Sequence, residues 1–322
     1  MATPKYTFLL PAFKGKYLDE MLRSIKAQTY TDFKVLISDD CSPENLRSIC
    51  EPYLSDPRFS YRRNEENMGS KSLVSHWNLL VDMCDTEFLI MASDDDVYEP
   101  QFLAEIDALV QKYPNVDLFR ARVRKIDIHE NTIAEDPVSA EHECQVDFIY
   151  GQYCLRRLDC IGNYVFRLQT LEMKNGFVDF PLAWGSDEAT VMQMSSNGVC
   201  ITPSILFNFR ISGVNISSSS NNLKTMTMIN QICYFEEFFN NIKTDGSTLQ
   251  INRLNSSKEE LKTQRIRMIK MGMEYLSYSD FFRLYSFFKQ EGVFSGFLDK
   301  LHLIWTWMRA WGSRVKKSDS IV

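Results

Sequence analysis

Short apolar runs alternate with amphipathic segments over the first hundred residues of the chain. The nearly continuous apolar run YTFLLPAF (6–13) predicts a strand that is buried on both faces. Further strands are predicted over DFKVLISDD (32–40), RFSYRR (58–63) and EFLIMAS (87–93). Apolar residues at helical spacing or a helix-opening proline predict intervening helices over 17–25, 43–54 and 67–84. This alternation predicts the α/β class, with a mainly parallel sheet and right-handed crossovers.

The rest of the chain gives a less regular pattern. Residues 115–215 mix short strands, such as the one predicted over 116–128, with a helix predicted near 187–196. Beyond residue 220 the pattern is helical, apart from a polar stretch over 240–260 that predicts a loop or linker. We therefore expect one α/β domain followed by a helical region.

Composition and charge exclude several classes of protein. The chain has 322 residues, 44% of them hydrophobic, and a net charge of −6, which argues against a nucleic-acid-binding protein. Its eight cysteines form no C-x-x-C pair, which is typical of free thiols in a reducing compartment. Since the sequence shows neither a secretory signal nor a long uncharged apolar run, we expect a cytoplasmic location.

Acidic residues follow two of the predicted strands. Ligands of open α/β sheets bind outside the carboxyl ends of the strands, and three segments fall there: Pro11-Ala12-Phe13, Asp39-Asp40 and Asp94-Asp95-Asp96. Adjacent carboxylates tolerate one another when Mg²⁺ or Mn²⁺ neutralises them. The alternatives are a solvated acidic turn for the second cluster, and a helix-capping role for the first.

Helix capping is better assigned to a neighbour of the first acidic pair. Ser42 directly precedes Pro43, which favours it as the N-cap of the second helix and leaves Asp39 and Asp40 free to bind a ligand. Backbone N–H groups at the start of the third helix, after Asn67, could meet a phosphate.

Four motifs in this order resemble the GT-A fold glycosyltransferases of family 2. They are Gln28-Thr29-Tyr30 at the end of the first helix, Asp39-Asp40-Cys41-Ser42, Asn67-Met68-Gly69, and the segment from Asp94 to Pro100. Cys41 replaces the usual glycine of the family. Ser93 stands where many relatives have the first acid of the D-x-D metal motif, which leaves the register of that motif open.

The resemblance implies roles for the residues in the first hundred positions. Asp39 or Asp40 would recognise the base of a nucleotide-sugar, and Asp94 would lie near its ribose. Asp95 would be the leading ligand of Mn²⁺ or Mg²⁺, with Asp96 in support. The remaining donor-binding residues implied are Pro11, Ala12, Phe13, Asn67 and Lys71.

The acceptor half resembles the family less closely. Ser186-Asp187-Glu188 occupies the place of the family's acidic pair, so Asp187 is the candidate general base, with Glu188 beside it. The alternative is that these acids only favour a helix N-terminus. The segment 207–218 resembles the loop that closes over the diphosphate, where Arg210 would contact phosphate.

The last residues combine aromatic and basic side chains. Apolar residues at helical spacing over 294–312 include Trp305 and Trp311, and residues 261–322 carry a net charge of +6. This pattern is typical of a helix at a membrane surface. The alternative is a helix docked on the catalytic domain or on a second copy in a homodimer.

Together with these features, the resemblance implies a metal-dependent inverting glycosyltransferase. Residues 1–220 would form the GT-A domain, with a nucleotide-binding half over about 1–100 and an acceptor half over about 101–220, and residues 221–322 a helical region. A UDP-sugar is the favoured donor, and a glycan or lipid-linked glycan the acceptor, with residues 294–317 contacting the inner face of the membrane. The alternatives are a sugar-phosphate nucleotidyltransferase and an inactive subunit that binds glycans or partners.

Overall fold

The computed structural model describes residues 3–212, 227, 231, 234–272, 277–290, 304, 305 and 307–309. The chain divides into two compact units. The first comprises Met1–Asn215 and Thr244–Leu254, and the second Ile216–Lys243 and Asn255–Val322. The division of the chain into a donor half, an acceptor half and a C-terminal region stays a prediction.

The first unit is built on one mixed β-sheet. Its strands in the described residues are β1 (Tyr6–Ala12), β2 (Phe33–Asp39), β3 (Phe59–Arg63), β4 (Phe88–Met91), β5 (Val97–Tyr98), β6 (Leu118–Ile126), β7 (Thr132–Glu135), β8 (His142–Glu143), β9 (Tyr164–Arg167) and β10 (Val199–Arg210). They are ordered β3-β2-β1-β4-β9-β6-β10-β5, with β7 on β6 and β8 on β10. The four strands predicted in the first hundred residues are confirmed within two residues at each end.

The helices of the first unit connect these strands. They are α1 (Leu18–Lys26), α2 (Leu46–Cys50), α3 (Gly69–Asp82), α4 (Phe102–Lys112), α5 (Gln145–Cys154), α6 (Leu168–Met173) and α7 (Ser186–Met194). Four 3-10 turns accompany them in the described part, at Glu51–Tyr53, Ile161–Asn163, Pro181–Ala183 and Ser195–Asn197. The helix predicted near 187–196 is confirmed as α7.

Strand direction explains the apolar runs. Strands β3, β2, β1 and β4 are mutually parallel, and β1 lies between β2 and β4 with almost every side chain buried. Phe8 and Leu10 belong to the main core with α1 and α4, whereas the alternate residue Leu9 is buried outside that cluster. Strand β9 runs antiparallel between β4 and β6. The sheet is therefore mixed, with a parallel part formed by β3, β2, β1 and β4.

The predicted start of the second helix is wrong. Helix α2 begins at Leu46, and its N-cap is Asn45, whose side chain accepts a hydrogen bond from the Ser48 N–H at 3.3 Å. Ser42 instead donates its hydroxyl proton to the Phe13 carbonyl at 2.6 Å and so ties the chain after β2 to the chain after β1. A capping side chain decides where a helix starts, and here an asparagine provides it.

The polar stretch predicted as a loop is half helical. Helix α8 (Thr248–Gly272) begins in the first unit and ends in the second. Only the part before Thr248 matches the prediction. Helix α8 is rich in charged and amide side chains, so its sequence lacks the apolar stripe by which helices are recognised.

The second unit holds helix α9 (Tyr278–Gln290) and a short described part of the tail. Trp307 is 6% exposed and stacks on Phe281 of α9, with ring centroids 4.3 Å apart. Trp305 and Met308 are 52% and 51% exposed. Most of the predicted apolar stripe, including Trp311, lies outside the described residues. Within the described parts of the chain, no helix combines the length and the apolar character needed to cross a membrane.

Candidate active site

The carboxyl ends of β1, β2 and β4 form one edge of the sheet. Parallel pairing aligns Ala12 with Asp39, and the Asp40 N–H donates to the Ala12 carbonyl at 2.9 Å. The segment after β4 joins them because Asp94 accepts hydrogen bonds from the backbone N–H groups of Phe13, at 2.9 Å, and Lys14, at 2.7 Å. The three segments that the sequence placed at strand ends therefore lie together.

Asp94 is anchored through one of its oxygens. Both backbone hydrogen bonds reach Oδ2. Burial raises the pKa of the Asp94 carboxyl, and the two N–H donors oppose that shift. This carboxylate fixes the loop after β1 against the turn after β4. Its predicted place near the ribose stays a prediction.

Asp95 and Asp96 have different surroundings. Asp95 is 9% exposed, and its Oδ2 accepts a hydrogen bond from the Ser212 hydroxyl at 3.1 Å. Asp96 is 1% exposed; its Oδ1 accepts from the Arg210 N–H at 3.0 Å, and its Oδ2 is buried without a hydrogen-bond partner. Burial raises the pKa of both carboxyls, most strongly that of Asp96, to which the charge of Asp95 adds.

These surroundings decide how a divalent cation would fit. Within the described residues, no group of three or more His, Cys, Asp or Glu side chains is arranged to hold a metal by itself. Mg²⁺ and Mn²⁺ commonly bind through one or two carboxylates and complete their shell with water and substrate phosphates. Asp95 fits that role, and the supporting role of the more deeply buried Asp96 stays a prediction.

Asp39 and Asp40 are not free, so that expectation is wrong. Asp39 is fully buried and accepts hydrogen bonds from the Ser42 N–H at 2.8 Å, the Tyr61 hydroxyl at 2.6 Å and the Arg63 guanidinium. These contacts join the end of β2 to the end of β3. Any contact of Asp39 with a nucleobase stays a prediction.

Asp40 holds the start of α3. It is 4% exposed and accepts from the Asn64 amide at 2.8 Å and from the N–H groups of Met68, at 2.9 Å, and Gly69, at 2.7 Å. Asn67 accepts from the Ser70 N–H at 2.8 Å. The N–H groups that were expected to meet a phosphate therefore have internal acceptors, and donor binding by Asn67 stays a prediction.

Lys71 lies on the surface of α3. Its ammonium group pairs with Glu66 at 2.7 Å, and both side chains are about two-thirds exposed (68% and 67%). Exposed pairs of this kind contribute little to stability, so Lys71 can exchange its partner at small cost. Donor binding by Lys71 stays a prediction.

A buried histidine that sequence reasoning missed completes this edge. His76 of α3 is 0% exposed, and its Nε2 lies 3.0 Å from the Ser38 hydroxyl and 3.2 Å from the Asn64 amide. Its Nδ1 is buried and 3.7 Å from Asp40. Burial lowers the pKa of His76, against the opposing effect of Asp40. The signal that could have found it is its helical spacing from Leu73 and Leu80, which puts His76 on the inner face of α3.

The candidate base lies in the first turn of α7. Asp187 and Glu188 follow Gly185, whose φ of 74° lies in the left-handed region that glycine favours. Ser186 is buried and its hydroxyl accepts from the Phe180 N–H at 3.0 Å. Glu188 accepts a hydrogen bond from the Tyr153 hydroxyl at 3.2 Å. Glu188 is therefore bound by Tyr153 of α5, and Asp187 lies next to it at the start of α7.

A third acid, Asp159, lies near Asp187, and sequence reasoning missed it. Burial and the nearby Asp187 raise the pKa of the Asp159 carboxyl to about 7, with Arg120 opposing them. Asp159 accepts from the Gln152 amide at 2.8 Å, and its Oδ1 is buried without a partner. Nothing in the run LRRLDC marks this aspartate, because its neighbours come from other elements.

Arg210 does not lie on the predicted loop, and its contact with phosphate stays a prediction. Arg210 is the last residue of β10, not part of a loop, and it is 1% exposed. Its guanidinium forms an ion pair with Glu20. The rest of the predicted loop, residues 213–218, lies outside the described residues.

Comparison with known proteins places this site in a family. Residues 7–164 match the family model described as glycosyl transferase family 2. These residues form a glycosyl transferase family 2 domain. The match includes the three strand ends and the triple aspartate, and ends before α7.

Curated relatives of the family 2 domain are distant and match over only part of their length. Poly(ribitol-phosphate) beta-N-acetylglucosaminyltransferase TarS of Staphylococcus aureus is 25% identical over 112 residues, which are 34% of this chain and 19% of that protein. Glycosyltransferase GlyG of Streptococcus pneumoniae is 24% identical over 98 residues, 30% of this chain and 32% of that protein. The chain therefore matches a fifth to a third of the length of these two relatives.

Solved structures share the GT-A fold over most of the chain. Staphylococcus aureus TarS 1–349 in complex with UDP-GlcNAc matches with a TM-score of 0.67 at 15% identity, over 88% of this chain and 81% of that one. The mannosyltransferase PcManGT of Pyrobaculum calidifontis, in complex with GDP-Man and Mn²⁺, matches with a TM-score of 0.52 at 13% identity, over 97% and 88%. The predicted GT-A fold is confirmed.

Proposed function

We propose that this chain is a metal-dependent, inverting glycosyltransferase that moves a sugar from a nucleoside-diphosphate sugar to a glycan or lipid-linked glycan. The observation that carries the proposal is the junction of the chain after β1 with the triple aspartate through Asp94, inside a family 2 domain. A UDP-sugar is the favoured donor, since TarS 1–349 binds UDP-GlcNAc and UDP.

Asp95 would hold the divalent cation together with the diphosphate of the donor. The bound ion would act as a Lewis acid and offset the charge that develops on the diphosphate as it leaves. Ser212 orients the Asp95 carboxylate through its hydroxyl. Asp94 keeps the loop at Phe13 and Lys14 in place beside the donor.

Asp187 would act as the general base. It takes the proton of the acceptor hydroxyl while that oxygen forms a bond to the anomeric carbon. The bond from the anomeric carbon to the diphosphate breaks, its electron pair leaves with the nucleoside diphosphate, and the configuration is inverted. Asp159 lies close enough for the charge of Asp187 to help raise its pKa to about 7.

A peripheral contact of residues 294–317 with an anionic membrane is part of the proposal. Trp307 turns towards α9, whereas Trp305 and Met308 on the same short segment are exposed. Arg309 lies over the Trp305 ring, 5.3 Å from its centroid. Exposed tryptophan with a neighbouring cation favours the interface between headgroups and acyl chains. A lipid-linked acceptor would be found at such a surface.

A thermal-shift screen of nucleoside diphosphates and nucleotide-sugars tests the donor site. A ligand at a hundredfold excess over its Kd adds about 2.7 kcal/mol, which corresponds to roughly 5–10 °C for a domain of this size. We expect such a shift with UDP or a UDP-sugar in the presence of Mn²⁺ and a much smaller one with EDTA. Equal shifts with EDTA would contradict the metal-bridged site, and no shift with any nucleotide would contradict the proposed function.

A further inference from the structure

Arg210, at the end of β10, and Ser212, just after it, donate three hydrogen bonds to the aspartate turn, residues 94–96. The Arg210 N–H donates to Asp96 Oδ1 at 3.0 Å, and the Arg210 Nε donates to the Asp95 carbonyl at 3.0 Å. Two residues further, the Ser212 hydroxyl donates to Asp95 Oδ2 at 3.1 Å. Arg210 thus contacts the main chain of Asp95, while Ser212 contacts its carboxylate.

The guanidinium of Arg210 is itself held by α1. Its Nη2 forms an ion pair with Glu20, whose side chain is 29% exposed, and lies 3.9 Å from Glu130, which is 65% exposed. The guanidinium also lies over the Tyr17 ring, 4.5 Å from its centroid. Since a buried cation requires a close counter-charge, Glu20 is the partner that keeps Arg210 in position.

These contacts join two distant parts of the chain at the candidate metal ligand. Glu20 and Arg210 are 190 residues apart in sequence, and the aspartate turn that Arg210 contacts belongs to a third segment. Without Glu20 the buried guanidinium would lose this ion pair, and the carboxylate of Glu130, 3.9 Å away, is exposed and screened by solvent. The guanidinium would then shift towards water and release the Asp95 carbonyl, and the adjacent carboxylate would lose its fixed direction.

We propose that Arg210 and Glu20 are positioning residues that set the direction of the Asp95 carboxylate towards the divalent cation of the donor complex. The inference rests on the proposed function, and it adds to it two residues that contact neither metal nor sugar. Residues that orient a metal ligand typically change metal affinity 10–100-fold when they are lost. Their effect should fall on metal binding more than on folding.

The test measures Mn²⁺ binding in the presence of saturating UDP, by titration calorimetry or by the loss of the free Mn²⁺ paramagnetic resonance signal. We expect Glu20→Gln to weaken Mn²⁺ binding about tenfold. Arg210→Lys keeps the positive charge but cannot reproduce the Nε contact, and it should have a similar effect. The double variant should lose little more than either single variant, because the two residues act as a unit.

Glu51→Gln is the matched control. Glu51 pairs with Arg47 at 2.8 Å, but both side chains are more than half exposed (62% and 52%), so its loss should leave Mn²⁺ binding unchanged. Melting temperatures of all variants are recorded alongside. If Glu20→Gln does not fold, Arg210→Lys carries the test.

The outcomes separate this inference from the function on which it rests. If the wild-type chain binds no Mn²⁺ with any nucleoside diphosphate, the proposed function fails and the inference fails with it. If the wild-type chain binds Mn²⁺ with UDP, and Glu20→Gln and Arg210→Lys bind it equally well, only the inference is overturned. A loss of melting temperature without a change in Mn²⁺ affinity would also overturn it, because it would mark a purely structural ion pair.

Discussion

Asp40 provides a sharp test of what holds together the sheet edge formed by the carboxyl ends of β1, β2 and β4. In the structure this buried carboxylate is an acceptor for three donors: the Asn64 amide on Oδ1, the Met68 N–H on Oδ1 and the Gly69 N–H on Oδ2. The substitution Asp40→Asn keeps the shape of the side chain but leaves only one acceptor oxygen. Its amide group would then face a donor, either the Gly69 N–H or the pair formed by Asn64 and Met68.

The magnitude follows from the lost contact. A hydrogen bond to a charged group contributes about 1.5–3 kcal/mol, and a buried donor left unpaired costs about 1–3 kcal/mol. Both figures measure the loss of the same contact and are not added. We therefore expect Asp40→Asn to lower the free energy of unfolding by about 2–3 kcal/mol. At roughly 2–4 °C per kcal/mol for a unit of this size, the melting temperature should fall by about 4–12 °C.

Thermal and urea unfolding of the wild type, Asp40→Asn and Asp82→Asn provide the assay. Asp82 ends the same helix in an exposed position, so its amide variant should unfold like the wild type. If Asp40→Asn unfolds like the wild type and loses only nucleotide binding, Asp40 is a ligand of the nucleobase. The assignment of Asp40 to the start of α3 would then be refuted.

Three further predictions follow from the acceptor side and the tail. Asp187→Asn should still bind a nucleotide-sugar with Mn²⁺, but its turnover should fall by about 10²–10⁴-fold, since a base acts only as the proton moves; normal turnover would assign the base to another acid. Because the pKa of Asp159 is raised to about 7, this group destabilises the folded chain as pH rises from about 4 to 7. Asp159→Asn should therefore be more stable than the wild type at pH 8, by about 2 kcal/mol after allowance for its partial exposure, and should show no such gain at pH 4 in unfolding experiments. Trp305→Ala should weaken sedimentation with anionic liposomes and leave the melting temperature unchanged, whereas Trp307→Ala, which removes the contact with Phe281, should lower it.

The strands of the first hundred residues were predicted well because the apolar pattern that marks a strand lies within its own sequence. A central strand that is buried on both faces must be almost entirely apolar, as β1 and β4 are. The acidic turns were recognisable for the same reason, since each directly follows such a strand. The start of α2 was misplaced because Pro43 and Ser42 form a good cap by composition, while the side chain that caps the helix is Asn45.

The parts that failed depend on contacts between distant segments. Asp40 meets donors 24–29 residues away, and these convert it from a free carboxylate into a structural one. Arg210 was expected on a loop, but pairing of β10 with β6 buries it, and its counter-charge Glu20 comes from the first helix. Asp159 acquires its raised pKa from burial and from Asp187. No local pattern encodes these neighbours.

The most direct test of the account is a calorimetric titration of UDP into the wild-type chain and into Asp95→Ala, each with Mn²⁺ and with EDTA. The account predicts that the wild type binds UDP with Mn²⁺ and at least about tenfold more weakly with EDTA, which is a loss of about 1.4 kcal/mol or more. Asp95→Ala should bind UDP weakly in both solutions while it keeps the wild-type melting temperature within a few degrees. Equal affinity of the wild type for UDP with Mn²⁺ and with EDTA, or an Asp95→Ala variant that keeps the Mn²⁺-dependent gain, would contradict it.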